Sequence, residues 1–233
     1  MSDGKEIILR RIREALRENP APHPHSSHPH APQGAGTSEH AQREWLPKVG
    51  ETLEEQIALF ASQSEALKTE FHRCATMEAA REVFSKLAAE GGWKKVATHS
   101  TPDTLGLLEG CTPSILKTDN GYQIDDLESC DAGVTGCECL VAQTGGIMIS
   151  APSGGGRALS VLPPHHIVVV RTAQMRSDLT AAFELIQQRY GANGFPSFLS
   201  FITGPSRTGD IERILVLGAH GPKRLTVLLL EIV

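Results

Sequence analysis

With 233 residues and 40% hydrophobic content, the chain can bury the core of one sizeable domain and carry a small N-terminal appendage. A formal net charge of -5 lacks the basic face that nucleic acid or an anionic membrane rewards. No run approaches the roughly 18–20 apolar residues that span a bilayer, and the first residues are charged without a signal-like apolar core, so the expected location is the cytoplasm.

Residues 1–19 read as a helix: Ile8, Ile12, Ala15 and Leu16 share a face, and arginines line the others. So short a helix does not persist alone, and it is expected to dock on the body or on a second copy in a homo-oligomer. Residues 20–45 change character, since prolines and histidines alternate with almost nothing to bury. That segment reads as a flexible linker rather than a metal site. Residues 46–233 form the expected α/β domain.

Helical spacing runs through Leu53, Ile57, Phe60, Leu67 and Phe71, and again through Ala80, Val83, Phe84 and Leu87 to the stop at Gly91-Gly92. A strand follows at 95–99 and a helix start at 100–103, the first unit of an α/β fold. Residues 138–150 read as a hairpin turning at Gln143-Thr144-Gly145-Gly146. The loop at 152–157 offers backbone donors and Arg157 but no G-x-x-x-x-G-K-[ST], which argues against a nucleotide P-loop. Ile167 to Val170 is a β-branched run suited to a central strand. The spacing predicts a further helix over 177–190, with Ser177 as its cap, and a buried strand over 225–230.

Turn chemistry concentrates between residues 201 and 222. Gly204 and Pro205 make a bend, after which Ser206 or Thr208 can cap a short helix through Ile211; a second bend, 218–222, carries His220. Amides from Gly204 to Thr208, with Thr203 and Arg207, make an anion cradle or merely a tight turn. Arg157, Thr144 and Gly145 join the ligand-binding candidates, and His165, Asp210 and His220 are the candidate proton handlers. Catalytic residues are otherwise unknown. Cys74, Cys111, Cys130, Cys137 and Cys139 form no C-x-x-C pair and read as packed free thiols. A soft-metal or iron–sulfur site through Cys130, Cys137 and Cys139 is the minor alternative.

The segments 131–136 (DAGVTG), 143–146 (QTGG), 162–167 (LPPHHI), 202–212 (ITGPSRTGDIE) and 218–222 (GAHGP), with ILRRIREAL at 8–16, together resemble the LUD domain family. The resemblance implies a mixed, largely parallel sheet flanked by helices, related to the sugar-phosphate isomerase and CoA-transferase (NagB/RpiA-like) folds. It also implies a part in oxidising L-lactate to pyruvate beside iron–sulfur partner proteins that do the redox work, with no cofactor of its own. Where such proteins commonly read Glu-Thr-Gly-Thr, this chain has Gln143 and so lacks a carboxylate. The alternative, on fold analogy alone, is a stand-alone transferase or isomerase-like enzyme on a sugar phosphate or CoA ester.

Overall fold

The computed structural model describes Arg11 and residues 46–211, 214–217 and 221–231. The chain divides into Met1–Arg43 and Glu44–Val233, and every element below belongs to the second unit. Apart from Arg11, the expected N-terminal helix and the linker lie outside the described residues, as does His220.

Helix α1 spans Leu53–Ala66 and is started by a capping box in which Thr52 accepts from the Glu55 amide and Glu55 reaches back to Thr52. Its apolar spacing continues to Phe71, yet the helix ends sooner. Lys68 takes φ 65, which breaks the ladder, and strand β1 (Glu70–Cys74) follows. Helix α2 (Met77–Gly91) is capped by Thr76 and stopped by left-handed Gly92. Next come β2 (Lys95–Thr98), α3 (Pro102–Leu108), β3 (Ser114–Lys117), α4 (Ile124–Glu128) and β4 (Ala132–Thr135).

The hairpin expected at 138–150 is present as β5 (Cys139–Val141) and β6 (Gly146–Ser150), paired antiparallel. The loop after it begins as a helical turn, α5 (Ala151–Gly154), capped by Ser150. A 3-10 turn at Ala158–Ser160 leads into β7 (His165–Arg171) and short β8 (Met175–Arg176). Helix α6 (Leu179–Tyr190) forms as its periodicity predicts, but Asp178 rather than Ser177 supplies the capping oxygen, accepting from the Ala181 amide. Strands β9 (Leu199–Ile202), β10 (Arg207–Ile211), β11 (Ile214–Leu217) and β12 (Arg224–Leu230) complete the domain. The short helix expected after Ser206 is therefore a strand. Residues 207–211 pair antiparallel with 214–217, and that ladder takes up part of the amide set a helix start would have left free.

Six strands form one parallel sheet in the order β1-β12-β7-β4-β2-β3. Both of its faces are covered, which is why β7 and β12 are continuous apolar runs. On one face Phe84, Leu87, Leu107 and Leu108 of α2 and α3 pack on Val96, Val134, Ile167 and Leu228. Against the other, Ile57 and Phe60 of α1, with Leu140 and Ile147, meet Val168, Val170 and Val227. Leu140 and Ile147 belong to a second, four-stranded sheet ordered β8-β5-β6-β9, whose outer side is closed by Ala182 and Ile186 of α6. The mixed strand directions lie in this second sheet, where β5 pairs parallel with β8 and antiparallel with β6. Each fully buried Val, Leu or Ile contributes about 1.5–3 kcal/mol, so the two-sided central sheet dominates stability. Among the described residues no helix is long and apolar enough to cross a membrane.

Candidate functional site

A cleft of about 560 Å3 opens over one face of the large sheet, bounded by the 3-10 turn, β9 and the bend that follows it. Its construction begins with a missing side chain. Gly133 stands beside His166 in the β4–β7 register, and a Cβ there would collide with the Leu159 carbonyl oxygen. The 3-10 turn can therefore lie directly on the sheet. Ser160 in that turn donates to the Arg157 carbonyl at 3.0 Å, and the Arg157 guanidinium sits over the Phe198 ring at 5.5 Å. Both Arg157 and Phe198 line the cleft.

The cleft also borders the Thr203–Ser206 bend. Gly204 has φ 101, and a Cβ on it would come within 2.6 Å of the Leu67 carbonyl oxygen, so the close approach and the backbone angle both demand glycine. The Ser206 amide donates to the Pro222 carbonyl at 2.9 Å, which ties the two bends of the 201–222 stretch together. Thr203, Gly204 and Ser206 all line the cleft.

The histidine on the cleft wall is His166, not His165. Side chains alternate along a strand, so these neighbours occupy opposite faces of β7. His166 pairs through Nε2 with Thr135 Oγ1 at 2.8 Å, and its Nδ1 has no partner among the described residues. Burial, with His165 as a lesser cause, pushes its pKa down to about 3, so the ring is neutral. His165 pairs with Thr226 Oγ1 at 2.7 Å and meets the Trp93 ring edge-on at 5.1 Å. Burial first, then the Arg224 charge, lowers its pKa to about 4. It is a core residue on the far side of the sheet.

The other expected site residues divide. Arg207 is exposed and does not line the cleft; its Nη2 donates to the Thr203 carbonyl at 3.4 Å. Thr208 and Asp210 lie on β10, but their side chains, like His220, lie outside the described residues. Thr144 and Gly145 are held elsewhere. Gly145 rests on α1, where a Cβ would come within 2.8 Å of Gln63 Cβ, and Thr144 shares with Thr203 a separate hollow of about 240 Å3. Gln143 donates through Nε2 to the Pro47 carbonyl at 3.0 Å, a bond that a carboxylate in its place could not make.

The three cysteines weighed as metal ligands sit in different apolar clusters: Cys130 with Leu127 and Leu159, Cys137 with Leu140, and Cys139 with Met148. Burial is the first cause raising each thiol's pKa, that of Cys139 to about 11. Among the described residues no group of three or more His, Cys, Asp or Glu side chains could hold a metal ion.

Two polar clusters carry no clear sequence signal. Glu138 is 1% exposed, and its carboxylate accepts from Ser150 Oγ, from Arg189 Nη1 and, at 2.8 Å, from Tyr190 OH. This buried group pins the hairpin to α6. At the carboxyl ends of β2 and β3, His99 Nδ1 lies 2.8 Å from Asp119 Oδ1, and Ser100 Oγ donates to the same carboxylate at 2.6 Å. Hydrogen bonds from Ser100 first, then the His99 charge, hold the Asp119 carboxyl below the usual range.

Residues 57–230 match the family described as LUD domain. A Lactate utilization protein C from Shouchella clausii is 32% identical over 113 residues, which cover 48% of this chain; the chain spans about half, 49%, of that relative's length. A second Lactate utilization protein C, from a Geobacillus species, is 27% identical over 198 residues, 79% of this chain and 82% of that protein. Among solved structures, a DUF162 family protein from Deinococcus radiodurans superposes with a TM-score of 0.60 over 78% of this chain and 99% of its own, at 22% identity. That last likeness concerns the fold.

Proposed function

Because this chain belongs to the LUD domain family, we propose that it is a non-redox component of an L-lactate utilisation system, acting with iron–sulfur partner proteins, and that it binds an organic anion in the cleft. The relatives named Lactate utilization protein C support the lactate-utilisation role. The observation that carries the anion reading is that Arg157, its guanidinium over the Phe198 ring, lines one cleft with the bend of Thr203, Gly204 and Ser206. A guanidinium pairs with a carboxylate through two parallel hydrogen bonds, while the bend offers hydroxyl donors. His166 adds a neutral ring that can bond the ligand without adding charge.

Deletion of the gene followed by growth on L-lactate tests the pathway role, with rescue by the wild-type chain as the expected result. Affinity purification from lactate-grown cells tests the partners, which should bring iron–sulfur absorbance with them. Calorimetry with the Arg157→Gln protein tests the anion site: lost binding supports it, and full binding of every anion that the wild type binds rejects it. The second reading, an enzyme on a sugar phosphate or CoA ester, calls for turnover of such a substrate by the isolated protein. A cleft with a single cation among its described residues favours it less, since those substrates carry two or more negative charges.

A further inference from the structure

Cleft size and wall chemistry constrain the guest beyond its charge, given the anion reading above, on which this inference rests. About 560 Å3 falls in the range of pockets that enclose ligands of many heavy atoms, lined mainly by apolar groups with a few placed polar ones. A three-carbon hydroxy acid would leave most of that volume to water. The wall also has an apolar sector made by Val161, Phe198, Ile202 and Leu225. Among the described residues Arg157 is the one charged side chain on the wall, and no carboxylate lines it. One guanidinium balances one negative charge; a phosphate ester or polyphosphate entering the same partly desolvated space would bring charge with no counterpart.

We propose that the cleft takes an amphipathic monocarboxylate larger than lactate, with its carboxylate on Arg157 and its apolar or aromatic body against Phe198 and Ile202. Phe198 is suited to both tasks. Its ring already carries the guanidinium at 5.5 Å, so a ligand paired with Arg157 enters beside an apolar face. The serines Ser200 and Ser206, which also line the cleft, can bond a hydroxyl or carbonyl adjoining the carboxylate.

The test is calorimetric titration of the full chain with three probes: L-3-phenyllactate, L-lactate and inorganic phosphate. Phenyllactate should bind at least tenfold tighter than either of the others, and Arg157→Gln, a change at an exposed position, should weaken it tenfold or more. Equal affinity for L-lactate and phenyllactate overturns the size inference and leaves the anion reading intact. Tightest binding of phosphate overturns the monocarboxylate assignment. Tight phenyllactate binding that survives Arg157→Gln places the carboxylate elsewhere and also sinks the proposal. If no probe binds the wild-type protein, this inference and the anion reading fall together.

Discussion

His165 and His166 are adjacent in sequence and separated by the thickness of the central sheet, one bonded to Thr226 and stacked edge-on with Trp93, the other bonded to Thr135 on the face that carries the cleft. Both are buried and neutral in the fold, with pKa values lowered to about 4 and about 3. In the unfolded chain each titrates near 6.5. Between those limits the unfolded state binds more protons than the folded one, so stability is complete above pH 6.5 and is lost as pH falls toward 4. Urea unfolding should give a free energy lower at pH 5 than at pH 7.5 by about 2–4 kcal/mol. Agreement between the two within about 0.5 kcal/mol, well under one pKa unit, would mean that neither ring is buried uncharged. His165→Gln should remove part of the pH dependence without changing the cleft.

Placing a carboxylate at position 143 should harm rather than help. Gln143→Glu removes the donor to the Pro47 carbonyl and sets a carboxylate against a carbonyl oxygen, at a cost of about 1–2 kcal/mol. Thermal unfolding should fall by a few degrees. No gain in lactate-dependent growth is expected; a clear gain would assign that position a chemical role in this chain.

Loss of the buried carboxylate at Glu138 should be among the most damaging polar changes. Glu138→Ala strands the Ser150 and Tyr190 hydroxyls at the junction of β6 and α6. Arg189, whose side chain is 47% exposed, can turn to water, which limits the loss to about 2–4 kcal/mol. Denaturant titration measures it. A change below about 0.5 kcal/mol, the size of an ordinary surface substitution, would show that the cluster is dispensable.

At Gly133, a methyl group would act on the cleft through the turn above it. The Cβ of Gly133→Ala collides with the Leu159 carbonyl oxygen, which is backbone and cannot swing aside, so the 3-10 turn must lift and carry Arg157 with it. The expected outcome is about 1–3 kcal/mol lost, as for overpacking elsewhere, together with at least tenfold weaker binding of any anion the wild type binds. Unchanged affinity would detach Arg157 from the turn.

Long periodic or continuously apolar segments were legible in the sequence: α2, α6, β7, β12 and the hairpin of β5 and β6. Strand β1 was not, because Phe71 falls on the apolar face of the preceding helix and only the positive φ of Lys68 divides the two elements. The stretch after Ser206 misled for another reason. Ser and Thr favour a helix cap, but the partner that makes this segment a strand is the apolar run 214–217, and pairing between them is tertiary information. Of the candidate site, the Gly204-Pro205 bend and the loop that carries Arg157 were readable from turn chemistry. His166 was not separable from His165, since a strand buried on both faces carries no polar alternation to show which neighbour faces which side. Glu138 and Asp119 acquire meaning only through residues distant in the chain.

Strand β12 pairs with β1 on one side and with β7 on the other, Thr226 meeting both Glu70 and Ile167. The sheet therefore has its last-made strand in its interior, and during synthesis β1 has no neighbour until residues 224–230 have left the ribosome. Until then β1 and the free side of β7 stay as unpaired apolar edges, which slows completion of the sheet, as expected when contacts join distant parts of a chain.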